Sequence, residues 1–301
     1  MIVKDQPSAL ALFFSMQGSI VPQIAGKLVA VAGLTIAVLL VNAWVVPLPR
    51  ISIAAMGIFG VALSLFLGFR NNAAYDRWWE ARTLWGTMLA DVRSLGREAT
   101  MFLGETSDRR RVMSLLVASA HFHRGALRGV EVRDAVENWL SAEDFDRLSA
   151  TRVPAEAALR DVAAHLAGLE RAGAITGFAQ MTLARSLASL GLMQAGCERI
   201  ALTPLPFVYS LLVRRTTYLY CALLPFALID TAGVFAPVFA VVVAYVFFGL
   251  QAVTNELEMP FRNSANGLAL DAMCRSIEIA AAEAMGAEAP EPMRPTGYVL
   301  T

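Results

Sequence analysis

Charge is the first scarcity in this chain: only 17% of its 301 residues are charged, and 25 basic residues balance 25 acidic ones to a formal net charge of zero. A nucleic-acid-binding domain carries a basic surplus, so that class is excluded. Cysteine is scarce too. Cys197, Cys221 and Cys274 lie far apart and read as packed thiols rather than a disulfide framework. His121 and His123 look like a metal pair, but side chains two apart on a helix point in different directions, and no nearby Cys, Asp or Glu completes a set. The chain also lacks a GxSxG elbow, a glycine-rich phosphate loop and a paired CxxC. No enzyme class, cofactor or metal is called for, although a membrane enzyme using His121 or His123 stays open as a different class. Strand-like alternation, fixed-period repeats and a low-complexity linker ahead of the tail are missing. Met1–Gln23 carries Lys4 and Asp5 without a compact apolar region ending in a cleavage site, so it does not read as a cleavable signal peptide.

What the chain has is apolar length. Fifty-six per cent of its residues are hydrophobic and its mean hydropathy is +0.54, too high for an ordinary soluble domain. Two pairs of runs are long enough to span a bilayer. Leu28–Val46 and Ile51–Phe69 are separated only by Pro47-Leu48-Pro49-Arg50, which predicts a hairpin with a short outer turn. The second pair runs from about Thr216 to Ile229 and from Val234 to Val253, joined by Asp230–Gly233. Its first member is short against the roughly 20 residues a span needs, so it is expected to extend back through Pro206. Arg214 and Arg215 then fall inside or at the cytosolic boundary of that span. Basic residues stay in the cytosol. The turns hold Arg50 alone, whereas the flanks hold Lys4, Lys27, Arg70, Arg77, Arg82, Arg93, Arg97 and Arg262, so both termini and the segment between the pairs are expected to be cytosolic.

That middle segment reads as helical. Trp78, Trp85, Met88, Leu89, Val92 and Leu95 recur at helical spacing, and 112–124 and 181–192 behave similarly. Shorter helices are expected over 134–153, with Ser141 as a start, and another begins at Pro154. The Asn255-Glu256-Leu257-Glu258 cluster fits either an ion-binding carboxylate pair or caps and salt bridges to the basic segments. Within the second run, Val61, Leu65 and Phe69 are spaced by four and fall on one stripe of a helix. Such a stripe faces lipid, packs, or lines a pore. Four helices enclose too little volume for a water-filled pathway, so a pore requires several subunits.

The chain resembles the bestrophins, and among them the bacterial bestrophin-like membrane proteins. The residues that carry this are Phe66-Leu67-Gly68-Phe69 followed by Arg77-Trp78-Trp79, then Gly18-Ser19-Ile20, Pro204-Leu205-Pro206-Phe207-Val208-Tyr209, and Asn255 through Pro260-Phe261, in order along nearly the full chain. The resemblance implies an all-α fold: a subunit of four transmembrane spans with a large helical cytosolic region, assembled as a homopentamer around a central pore. It places a hydrophobic neck on Val61, Leu65 and Phe69 and a cytosolic exit constriction on Ile200. Arg77, Trp78, Trp79 and Arg82, with Trp85, lie below the neck, where arginine over indole and contacts to Glu80 or Asp76 are expected to lock the helix structurally. After Phe261 the family's animal members carry an acidic calcium clasp; here Arg262-Asn263-Ser264-Ala265-Asn266-Gly267-Leu268 follows, which argues against calcium activation.

The expected organisation is an N-terminal cytosolic or interfacial segment (1–27), transmembrane hairpin 1 with the pore helix (28–69), a cytosolic helical region (70–205), transmembrane hairpin 2 (206–253), a cytosolic C-terminal helix (254–285) and a disordered tail (286–301). The expected partners are further copies of the chain, membrane lipids and permeant monovalent ions, with no nucleic acid. Anions, chloride foremost, are favoured. A monovalent cation channel of the same fold, with Glu198 as a selectivity residue, and a non-conducting membrane scaffold are the alternatives.

Overall fold

The computed structural model describes residues 1–3, 16 and 18–301; Lys4 lies outside them. The described residues form ten α-helices and no strand, in this order: α1 (Val21–Trp44), α2 (Ile53–Phe102), α3 (Thr106–Arg128), α4 (Arg133–Val136), α5 (Ala142–Ser149), α6 (Pro154–Arg171), α7 (Gly177–Leu202), α8 (Phe207–Ala232), α9 (Ala236–Leu257) and α10 (Leu270–Ala284). Three stretches are long and apolar enough to cross a membrane: Val21–Trp44, Ile53–Phe102, and Phe207–Leu257, the last comprising α8, a one-turn 3₁₀ segment and α9. The chain divides into two compact units. One, the span unit, gathers the N-terminal part up to Trp78 with Pro204–Met259; the other, the bundle unit, gathers Trp79–Thr203 with Pro260–Thr301 and the first residues.

In the span unit, α1 has 24 residues, about 36 Å at 1.5 Å per residue, and it ends before Pro47 and Pro49. Ala236, Ala240 and Ala244 repeat every four residues on α9 and are fully buried. Small residues at this spacing let helix backbones approach, which substitutes for the hydrophobic drive that lipid removes. α1, α2, α8 and α9 share one core with Ile24, Val31, Leu63, Leu67, Leu224 and Phe248. Its buried hydroxyls are satisfied within their own helices: Thr35 donates to the Val31 carbonyl (2.7 Å) and Thr217 to that of Val213 (2.8 Å). Gly60 matters for a different reason. A Cβ there would stand 2.8 Å from the Tyr220 hydroxyl oxygen, so glycine admits the ring that packs edge-on to Phe59 and Phe247. At the turn end of the unit, Arg50 pairs with Asp230 at 2.6 Å, which places both hairpin connections on the same side.

The bundle unit is built from amphipathic helices. α3 buries an unbroken row from Val112 to His123, packing against α6 and α10. The Ser141 hydroxyl accepts from the Asp144 amide at 3.1 Å, and Thr176 caps α7 likewise. Pro154 stands at the first position of α6. Hydrogen bonds from Arg111, reinforced by Arg147, hold the Asp144 carboxyl well below the usual carboxylate range. Burial pushes the Cys197 and Cys274 thiols up to about 12, and all three cysteines are free and buried.

α2 runs without a break from the apolar stretch past Phe69 to Phe102, because no glycine or proline interrupts 70–85 and the polar stretch keeps helical propensity. The segment 286–301, expected to be disordered, is held in place. Leu300 donates its amide to the Met1 carbonyl (2.8 Å), the Met1 ammonium donates to the Leu300 carbonyl (2.5 Å), and Ala272 donates to the Thr301 carbonyl (2.9 Å). Composition shows proline and glutamate there, but the pairing with the other chain terminus is a long-range fact invisible to it.

Candidate functional site

The two faces of α2 meet opposite fates. Met56, Gly60, Leu63, Leu67, Arg70 and Ala74 recur in steps of four and three and are buried, the seam that a helix packed along its length presents. On the far side Ile58, Val61, Leu65 and Phe69 are 75, 64, 57 and 64% exposed. This line continues into exposed Asn72 and Asp76. An apolar face on a membrane helix that its own subunit leaves bare is covered by lipid or lies against other copies of the chain; a line that runs from large apolar groups into amide and carboxylate suits a path toward water.

Directly after Phe69 the helix turns an arginine inward. Arg70 is 1% exposed, and its Nη2 donates to Asn255 Oδ1 (3.1 Å) and Glu258 Oε2 (3.0 Å). Its Nε and Nη1 are buried without a protein acceptor, and the amide nitrogen and oxygen of Gln251 are buried without a hydrogen-bond partner. Arg77 donates through Nε to the Glu258 carbonyl (2.9 Å), Thr254 donates to Asn71 Oδ1 (3.4 Å), and Gln23 donates to Glu256 Oε1 (3.0 Å). The cluster therefore ties α1, α2 and α9 at the base of the exposed stripe. It also decides between the two readings of 255–258: Glu258 is the counter-ion of a buried arginine, and Glu256 pairs with Gln23.

The remaining sequence-selected residues scatter. Trp78 and Arg82 are partly buried and Trp79 is 55% exposed. Trp85, expected under an arginine, is 1% exposed and stacks on the His123 ring at 5.6 Å. Glu80 pairs with Arg199. Glu198 accepts from Gln194 Nε2 at 2.9 Å. Ile200, expected at an exit constriction, is 3% exposed in the single subunit. The stripe and the burial of Ile200 sit on helices of similar composition, so sequence periodicity alone could not separate them. The histidines part as their spacing requires: His121 Nε2 lies 2.7 Å from Glu278 Oε1, while both nitrogens of His123 lack partners and burial lowers its pKa to about 4. Sequence reasoning missed Arg70 as the centre of a buried cluster, because its partners lie more than 180 residues away.

Comparison with known proteins places this arrangement. The family model described as Bacterial/Fungal Bestrophin protein matches residues 1–283. A voltage-dependent anion channel-forming protein of Mesorhizobium japonicum is 43% identical over 296 residues, covering 98% of this chain and 95% of that protein. The voltage-dependent anion channel-forming protein YneE of Escherichia coli K12 is 38% identical over 280 residues, covering 93% and 92%. Among solved structures, a bacterial bestrophin homolog from Klebsiella pneumoniae superposes with a TM-score of 0.85 at 33% identity, covering 88% of this chain and 99% of that one. With its all-helical fold and its exposed stripe on α2, the chain belongs to the bestrophin family, in the branch of bacterial and fungal members.

Proposed function

We propose that this chain is the pore-forming subunit of an anion channel in the cell membrane, a homopentamer in which α1, the first part of α2, α8 and α9 are four spans. The observation that carries the reading is the apolar line Val61, Leu65 and Phe69, left bare by its own subunit. Fivefold repetition turns each side chain into a ring, and narrow apolar rings resist ion passage by dewetting until the helix moves. The Arg50–Asp230 pair supports the topology, since it joins the two hairpin connections and leaves the basic flanks for the opposite, cytosolic side with both termini. The sub-neck residues Arg77, Trp78, Trp79 and Arg82 act on structure and gating: Arg77 braces Glu258. The cytosolic exit constriction falls on Ile200, near the C-terminal end of α7. The segment 70–205 is the cytosolic region in this topology.

Anion preference rests on the relatives' names, because apolar rings carry no sign. Glu198 supports the cation alternative, since a ring of carboxylates attracts cations, and its neighbour Arg199, paired with Glu80, opposes it. The purified protein in planar bilayers under a KCl gradient decides: a reversal potential near the chloride equilibrium value is expected, one near the potassium value establishes the cation channel, and silence in every preparation leaves a scaffold.

A further inference from the structure

Three cations of the span unit stand without a counter-ion. Arg50 pairs with Asp230 and Arg70 with Glu258, but Lys27 on α1 and Arg214 and Arg215 on α8 make no ion pair and no side-chain hydrogen bond among the described residues. The sequence explains the shortage: no Asp or Glu occurs in 21–75, 207–229 or 231–255. The acids nearest these cations, Glu256 and Glu258, are engaged by Gln23 and Arg70.

The two helices set these cations at one level. Arg214 and Arg215 precede Asp230 by 16 and 15 residues, and Lys27 precedes Trp44, the last residue of α1, by 17. At 1.5 Å per residue each lies about 22–26 Å from the turn end of its helix. In a hydrocarbon core about 30 Å thick that is a little short of the far boundary, from which long cationic side chains reach back to the lipid phosphates. One tyrosine joins the three. Lys27 Nζ lies 5.8 Å from the Tyr218 ring centroid and 5.2 Å from that of Phe248, and the two rings pack at 5.1 Å. Arg214 and Arg215 precede Tyr218 by four and three residues, on the exposed side of α8 away from buried Val213, Thr217 and Tyr220.

We propose that this patch holds the phosphate of an anionic phospholipid of the inner leaflet, its oxygens taken by Lys27, Arg214 and Arg215 and its acyl chains laid along Val29 and Leu219, which are 71 and 52% exposed. Guanidinium groups suit phosphate oxygens, and a half-exposed tyrosine belongs at headgroup depth. A zwitterionic lipid brings a cation of its own to three uncompensated positive charges, so the anionic lipid is preferred. The leaflet rests on the topology proposed above. Lipid retention is read without current, so its failure and a failure of the channel reading are told apart.

The test is native mass spectrometry of the purified full-length protein in detergent, titrated with dioleoyl phosphatidylglycerol or dioleoyl phosphatidylcholine. Saturable phosphatidylglycerol adducts, about tenfold tighter than phosphatidylcholine and undisturbed by millimolar inorganic phosphate, are expected. The variant Lys27→Gln, Arg214→Gln, Arg215→Gln brings the two lipids to equal affinity. Removing three exposed bases of the bundle unit (Arg93→Gln, Arg97→Gln, Arg185→Gln) leaves the preference unchanged. Arg214 and Arg215 are exposed, so Arg214→Gln, Arg215→Gln alone, expected to lose most of the preference, serves where the triple variant fails to fold. Equal affinity of the wild type for the two lipids, or equal loss in the two triple variants, overturns the proposal and leaves the cations as snorkelling side chains. Displacement of the lipid by inorganic phosphate overturns it in favour of a free-phosphate site, and absence of any adduct in favour of a face covered by a second copy.

Discussion

His123 is a buried imidazole with no hydrogen-bond partner on either nitrogen, stacked on Trp85, and its desolvation has a pH signature. Its pKa falls from 6.5 to about 4 on folding. The unfolded chain therefore takes up a proton near 6.5 that the folded chain refuses until about 4, so the contribution is intact above 6.5 and lost as pH falls toward 4. A shift of this size corresponds to about 3 kcal/mol at the acid end. His123→Phe keeps the stacked ring and removes the proton site: thermal unfolding in detergent, followed by tryptophan fluorescence, is expected to show less destabilisation from pH 7 to pH 5 than wild type, and equal slopes contradict the assignment. Arg70 poses the opposite problem, a buried charge that is paired. Glu258→Ala strands that guanidinium and is expected to cost about 3–5 kcal/mol, whereas Arg70→Met with Glu258→Met recovers most of it; unfolding midpoints of the single and double variants measure the difference.

At the scale of elements, α2 shows what a sequence discloses and what it withholds. The spacing of Val61, Leu65 and Phe69 was legible, and so was the amphipathic run beyond Arg77, since helical periodicity is local. The helix starts at Ser141 and Pro154 were legible for the same reason, each being a cap or a first-turn proline. What the sequence withheld is which face each helix buries: Ile200 and Leu192 sit on the same helix, yet one is 3% and the other 68% exposed. The loop after α9 was legible only as a departure from the acidic clasp. Its shape depends on Gly267, where a Cβ would stand 2.1 Å from the Arg262 carbonyl oxygen. Gly267→Ala therefore forces backbone movement between α9 and α10, and a lowered unfolding midpoint with loss of properly assembled protein in size-exclusion chromatography is the expected outcome.

For the whole molecule, class and family were readable because both are spread over the chain: apolar run lengths mark the membrane protein, and the Phe66–Phe69 and Arg77–Trp79 motifs mark the bestrophins. The pairing of the two chain termini was not readable, because it joins segments from opposite ends of the sequence. The account of function turns on one claim, that Val61, Leu65 and Phe69 form the barrier to ion flow. Single-channel recording in planar bilayers, comparing wild type with the Val61→Ala, Leu65→Ala, Phe69→Ala triple variant, addresses it directly. Widened, less apolar rings dewet less readily, so the variant is expected to show a higher open probability or conductance than wild type. Identical currents from the two proteins would contradict the claim and return the stripe to packing against lipid.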